Sequence, residues 1–299
     1  VRLVTMTDAT DATDATDAAG PRVGALLDDG VLDLGAVLPA APRTLVGLLG
    51  APSDVLSATR AAVADPDPAA VLPLGSVRLL PPVPRPGTIL CVGYNYRGHT
   101  AQDDPEFPDV FTKPASAVVG PEDDIVLPRA SAEVDYEAEL AVVIGRRAHD
   151  VAPDEALAHV GGYTVLNDVS ARDWQRRTSQ WVLGKAFDTF APLGPAVVTP
   201  DEVPDPQDLT VSARVNGELT LQGSTRDQVF GVAHLVSYLS QVVTLQPGDV
   251  IATGTPQKLQ HVLDRGPRWL RDGDVVEITV SGIGTLRNRV SAASPVVQH

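Results

Sequence analysis

The segment Glu133–Gly145, EVDYEAELAVVIG, carries acids at four alternate positions. If it is a strand, Glu133, Asp135, Glu137 and Glu139 share one face, and Val134, Tyr136, Ala138 and Leu140 share the other. Same-face neighbours on a strand are about 7 Å apart and four of them span about 20 Å, so adjacent carboxylates can converge on one ion but all four cannot. Stacked like charges raise one another's pKa unless a cation sits among them. The run Leu140–Ile144 that follows is apolar on both faces, as in a buried strand. An acid cluster entering a buried strand predicts a divalent metal site, and oxygen-only donors favour Mg²⁺, Mn²⁺ or Ca²⁺ over Zn²⁺. A solvated edge strand would carry the same charges, which also discourage edge-to-edge pairing.

A second group follows. Tyr163–Asp168 reads as a strand running into VSARDWQRR, where Ser170 and Asp173 form a capping-box pattern that predicts a helix start. Asp168, Arg172 and Gln175, at i, i+4 and i+7, then lie along one side of that helix and its entry. An acid, a permanent cation and an amide in one stripe suit a carboxylate held beside a metal; a surface helix with a local Asp–Arg pair has the same spacing. Lys185 stands inside WVLGKAF, among Trp181, Val182, Leu183 and Phe187. Such a Lys either snorkels outward or meets carboxylates, because burying it alone is costly. The chain has only three lysines, Lys113, Lys185 and Lys258, beside twenty arginines, so each marks a place where the default cation is not used.

The elements that must position these residues are mostly β. Short apolar runs at 88–92, 140–144, 163–166, 196–198, 210–215, 250–252 and 275–280 are separated by Gly, Pro and Asp turns, with helical stretches near 168–178 and 228–243. The first 80 residues read as three short strands, with a hairpin turn at Asp28-Asp29-Gly30, and a helical stretch at 44–64. They contain a low-complexity acidic loop at 7–19, TDATDATDATDAA. The Pro-rich stretch at 79–86 reads as an extended linker and is placed as the boundary with a domain spanning 81–299, the alternative being one continuous domain with a Pro-rich crossover. The 299 residues carry a formal charge of −15, which excludes a sequence-independent nucleic-acid binder. One Cys, Cys91, excludes a disulfide framework and a Cys-rich zinc site. No apolar run approaches a membrane span and no charged-then-apolar leader opens the chain, which gives the expectation of a soluble cytoplasmic protein with no membrane partner.

Taken together the motifs resemble the fumarylacetoacetate hydrolase family. The matching stretches are GYNYRGH at 93–99, FTKP at 111–114, YEAEL at 136–140, NDVSARDWQ at 167–175, GKAFDTFAPLGP at 184–195, VNGE at 215–218 and LQPGDVIATGTP at 245–256. The resemblance covers about Gly87–Val290 and, more loosely, matches the first 80 residues to the small accessory domain of the family's longer members. It implies an α+β, β-rich fold of the family's mixed β-roll type, assembled as a homodimer. It implies a divalent ion, usually Mg²⁺, on Glu137, Glu139 and Asp168, and substrates that are 2-oxo acids and their enols. Arg172, Gln175, Lys185, Thr255 and Gly254 map onto the substrate side, and His99, on a lid, onto the general base. In many members a Glu stands three residues after that His. Here the position is Gln102, and an amide can neither take the proton nor pair with imidazolium. Asp103, Asp104 or Glu106 could replace it if the lid winds differently. The segment after Pro256, QKLQHVLDRGPRW, also departs from the family's small Gly-rich turn.

Three functions compete. The first is metal-dependent hydrolysis of a C–C bond in a 2,4-dioxo acid of the acylpyruvate or fumarylpyruvate type. The second, favoured by Gln102, is decarboxylation or isomerisation of a related 2-oxo acid, of the oxaloacetate or 2-hydroxyhepta-2,4-diene-1,7-dioate type. The third is a non-catalytic scaffold that binds a small carboxylate; the intact acid set with Lys185 argues against it.

Overall fold

The structure, a computed structural model, describes residues 1–9, 20–98 and 104–293. Of the acidic tract, residues 10–19 lie outside the described residues, and Thr7 and Asp8 end the first strand, Arg2–Asp8. The apolar runs form strands because β-branched residues pack well on a pleated, half-buried surface. They build an α+β, β-rich fold around a twelve-stranded sheet and a five-stranded sheet among the described residues. The Asp28-Asp29-Gly30 turn closes a hairpin with Leu26 opposite Val31. The helical stretch at 44–64 splits into Leu45–Leu49 and Ser53–Ala64, with Gly50 and Pro52 at the break. Arg2–Asp8 pairs with Ala191–Val198, so the amino-terminal strands extend the large sheet.

Ala138–Ile144 lies at the centre, every residue buried, between Val160–Asn167 and Val250–Ala252. Its register with Val160–Asn167 sets Ala138 opposite Asn167. The residues just beyond that pair, Glu137 and Asp168, therefore meet at one end of the sheet. There the Asp168 amide donates to the Glu137 carbonyl at 3.0 Å.

Two local expectations are corrected. The acid-bearing segment is not one strand: Val134–Asp135 and Ala138–Ile144 are separated by Tyr136 and Glu137, because the first pairs with Ser170–Ala171 and the second with Val160–Asn167. The capping box also does not form. Ser170 is held in that two-residue strand opposite Asp135, its hydroxyl donates to the Asp168 carbonyl at 2.9 Å, and the helix is the single turn Arg172–Gln175.

Candidate active site

Strand ends and two short helices bring most of the proposed residues into one cavity of about 410 Å³. It is lined by Glu137, Glu139, Asp168, Arg172, Gln175, Lys185 and Thr255 together with Tyr94, Phe111 and Trp181. Glu139 comes from the central strand, and Asp168 follows its neighbour. Arg172 and Gln175 begin and end one turn of helix, with Arg172 Nη1 donating to Gln175 Oε1 at 2.9 Å. Lys185 closes the turn Val182–Lys185. Gly184 in that turn is required by space, since a Cβ there would lie 2.6 Å from the Gln175 amide nitrogen.

The charges are densely paired. Lys185, 1% exposed, does not snorkel: its Nζ lies 2.6 Å from both Glu137 Oε2 and Asp168 Oδ2. Lys113 Nζ donates to Asp168 Oδ1 at 2.6 Å and to the Val169 carbonyl at 3.0 Å. Arg172 Nη2 reaches Glu137 Oε1 at 2.6 Å. Burial alone would raise Glu137, but the Arg172 guanidinium and Lys185 ammonium outweigh it and hold the carboxyl well below the usual range. Burial would likewise lower Lys185, yet Asp168 and Glu137 keep it firmly protonated. Lys113 is pushed down, by burial first, against the pull of Asp168. Glu139 behaves oppositely to Glu137. It has no ion pair among the described residues and accepts from the Gly254 amide at 2.7 Å; burial and the Asp168 and Glu137 carboxylates push its carboxyl well up.

The three acids fit a hard divalent ion. Each offers an oxygen within 4.8 Å of the others. Hard ions bind oxygen at about 2.0–2.6 Å, so two ligands of one ion stand at most about 5 Å apart. The donor set is all oxygen, and Glu139 is a buried acid lacking a counter-charge.

Thr255 lines the cavity, whereas the Gly254 amide is turned onto Glu139. Gly254 has φ +93° and a Cβ there would lie 2.9 Å from Asn95 Cβ, so both backbone and space demand glycine. Gly254→Ala is expected to cost about 1–3 kcal/mol of stability through that strained φ, read as a lower Tm in a thermal melt. His99, Gln102 and Asp103 lie outside the described residues; Asp104 pairs with Arg97 at 3.3 Å.

Several residues here escape sequence reasoning. Lys113 arrives through the register that sets it opposite Ile89, although its FTKP context and the scarcity of lysine were usable signals. Asp135 binds Arg172 Nε and Nη2 at 3.1 and 3.0 Å. Asn167 Oδ1 accepts the Glu137 amide at 3.1 Å and so fixes that backbone. Trp181 packs edge-on against Tyr94 and Phe111, at centroid distances of 5.3 and 5.5 Å, giving the cavity one aromatic wall.

The family profile described as fumarylacetoacetate (FAA) hydrolase C-terminal matches residues 88–291. The chain is 47% identical over 279 residues to oxaloacetate tautomerase FAHD2B, mitochondrial, of Bos taurus, covering 91% of this chain and 88% of that protein. It is 45% identical over 278 residues to oxaloacetate tautomerase FAHD2A, mitochondrial, of Homo sapiens, with the same coverage. Among solved structures it resembles maleylpyruvate hydrolase from Sphingobium sp. SYK-6 in complex with manganese(II) ion and pyruvate. That match has TM-score 0.79 and 32% identity, covering 98% of this chain and 100% of the other. It also resembles 5-carboxymethyl-2-hydroxymuconate delta-isomerase from Mycobacterium smegmatis, with TM-score 0.75 and 35% identity, covering 99% of this chain and all of that one. The bovine and human relatives are mitochondrial by name, which overturns the cytoplasmic expectation.

Proposed function

The chain belongs to the fumarylacetoacetate hydrolase family, and from that premise we propose that it catalyses keto–enol tautomerisation of a 2-oxo dicarboxylic acid of the oxaloacetate type. The observation that carries the reading is the buried Lys185 ammonium, 2.6 Å from Glu137 and Asp168, on the wall of a cavity that also holds Arg172 and Gln175. In tautomerisation the C3–H bond breaks, its electron pair enters the C2–C3 bond, and an O–H bond forms on the 2-oxo oxygen. The step consumes no water and needs no redox partner. Negative charge grows on that oxygen, and Lys185, held protonated, is a charged donor for it. Arg172 and Gln175 orient the C1 carboxylate.

Glu137, Glu139 and Asp168 would hold a divalent ion, Mg²⁺ or Mn²⁺, whose Lewis acidity lowers the cost of enolate charge. Asp135, Glu137, Glu139 and Asp168 are balanced by Lys113, Lys185, Arg172 and Lys258, so a dication leaves an excess of two positive charges, the complement of a dicarboxylate. The formal −15 of the whole chain acts weakly here, since surface charge is screened beyond about 8 Å at physiological salt.

The curated relatives favour this reading over C–C hydrolysis; the maleylpyruvate hydrolase likeness, at 32% identity, supports hydrolysis as the second reading. The test is incubation with oxaloacetate and with acylpyruvates in the presence of Mg²⁺, following enol absorbance, CO₂ and pyruvate together. Accelerated keto–enol exchange without CO₂ or pyruvate supports tautomerisation. Pyruvate released from an acylpyruvate means hydrolysis, and CO₂ from oxaloacetate means decarboxylation. We assign the C3 proton to His99 on the family resemblance. His99→Asn is expected to lower kcat by about 10²-fold with Mn²⁺ affinity unchanged, as steady-state kinetics and calorimetry would read.

A further inference from the structure

A second cavity, of about 340 Å³, abuts the first, and Glu137, Arg172 and Thr255 line both. Arg172 is part of the partition. Its fork is heavily committed: Nε and Nη2 donate to Asp135 Oδ2, Nη2 also reaches Glu137, and Nη1 donates to Gln175. A guanidinium has five N–H groups and these bonds commit four, so gripping a substrate carboxylate with two of them requires release of a partner, and Asp135 is the partner that takes two. Asp135 is thus a built-in competitor for Arg172. It is 5% exposed and held from its other side by the Lys258 ammonium, which bonds Oδ1.

Lys258 belongs to the atypical segment after Pro256, and the segment is fastened. Lys258 bridges Leu221, and the Leu259 amide donates to the Thr220 carbonyl at 2.9 Å. The ammonium also sits 4.4 Å from the centroid of the Tyr136 ring. The charges therefore alternate in one row: Lys258, Asp135, Arg172, Glu137, Lys185, Asp168, Lys113. All three lysines of the chain stand in it.

We propose that Lys258 is a positioning residue for Arg172, acting through Asp135. By neutralising Asp135 it loosens the hold of that carboxylate on the guanidinium and frees the fork for a substrate carboxylate. Without Lys258, Asp135 has Arg172 as its only cation among the described residues, and in this buried setting the pair tightens. The proposal rests on Arg172 binding a carboxylate, as in the reading above, and not on which 2-oxo acid reacts.

The test titrates oxalate calorimetrically onto the Mn²⁺-loaded chain and pairs this with steady-state kinetics. The variants are Lys258→Met, Lys258→Arg, Asp135→Asn and the double variant Asp135→Asn with Lys258→Met. Lys258→Met is expected to weaken oxalate and raise KM about tenfold, with kcat and Mn²⁺ affinity within about twofold. Lys258→Arg restores most of the loss. In the Asp135→Asn background, Lys258→Met adds nothing, because the coupling runs through Asp135. If Lys258→Met moves only Tm and leaves oxalate affinity unchanged, Lys258 merely ties down its loop and the proposal is overturned. If the tenfold loss persists in Asp135→Asn, Lys258 meets the ligand directly and the proposal is equally overturned. A wild-type chain that binds oxalate yet turns over no 2-oxo acid would sink the tautomerase reading alone, with the oxalate couplings still deciding this one.

Discussion

Replacing Lys185 by Met is expected to cut kcat/KM for the 2-oxo acid by about 10³-fold at saturating Mn²⁺, the cost of removing a donor to developing oxyanion charge. The same change is expected to lower the Tm of the metal-free chain and to spare that of the Mn²⁺-loaded chain. Met keeps the buried stem and loses only the ammonium, which lies 2.6 Å from Glu137 and Asp168 and 4.8 Å from the Phe111 ring centroid. Breaking a buried ion pair by removing one partner costs about 3–5 kcal/mol. The lower end applies here, because Arg172 stays on Glu137 and Lys113 on Asp168. A dication on the same acids replaces the missing charge, so Mn²⁺ restores stability without restoring the hydrogen-bond donor. Lys185→Arg should not rescue turnover, because a planar fork cannot take the place of a compact ammonium between two carboxylates. Thermal melts with and without Mn²⁺, beside steady-state kinetics, check both halves. Turnover within tenfold of wild type would remove Lys185 from the chemistry.

The parts of this site that were legible in the sequence depend on short-range pattern. The apolar run 140–144 reads as a buried strand, and the acids leading into it as a metal site or a solvated edge; the structure buries Glu137 and Glu139. Lys185 in its apolar run left two outcomes, and the structure chose the paired one. What pattern could not supply is pairing partner. Alternation from Glu133 to Glu139 reads as one strand, but Tyr136 and Glu137 interrupt it where the chain changes partners, from Ser170–Ala171 to Val160–Asn167. That interruption separates the acids. Glu133 faces outward onto Arg176, Asp135 turns to Arg172 and Lys258, and Glu137 and Glu139 enter the cavity.

Ser170 shows the same limit from the other side. Its spacing to Asp173 suits a helix cap, yet strand pairing with Asp135 claims its backbone, and Asp173 bonds the Ser131 hydroxyl at 2.6 Å instead. Asp168, Arg172 and Gln175 still line one cavity, so the expected convergence survives although the helical stripe behind it does not. Lys113 is the clearest omission. Its FTKP context and the scarcity of lysine single it out but name no partner; its place against Asp168, 55 residues further along the chain, comes from the packing of the strand that carries it.

Glu139→Gln should produce the opposite pattern to Lys185→Met. Mn²⁺ affinity is expected to fall about 10³-fold, because a charged oxygen ligand is lost from a set of three. The Tm of the metal-free chain should nonetheless hold or rise. Glu139 is 2% exposed, has no cationic partner among the described residues, and is pressed by the Asp168 and Glu137 carboxylates. Gln preserves its shape and an oxygen for the Gly254 amide, while removing an acid whose ionised form burial and the neighbouring carboxylates oppose. Calorimetry with Mn²⁺ and thermal melts of the metal-free chain read the two effects separately. An acid that served only the fold would behave otherwise, with Tm falling and Mn²⁺ uptake intact. The two variants thus bracket the site: deleting a cation destabilises the empty cluster, deleting this acid does not, and a cluster in which Glu139 has no ion pair among the described residues and awaits a dication gives both signs.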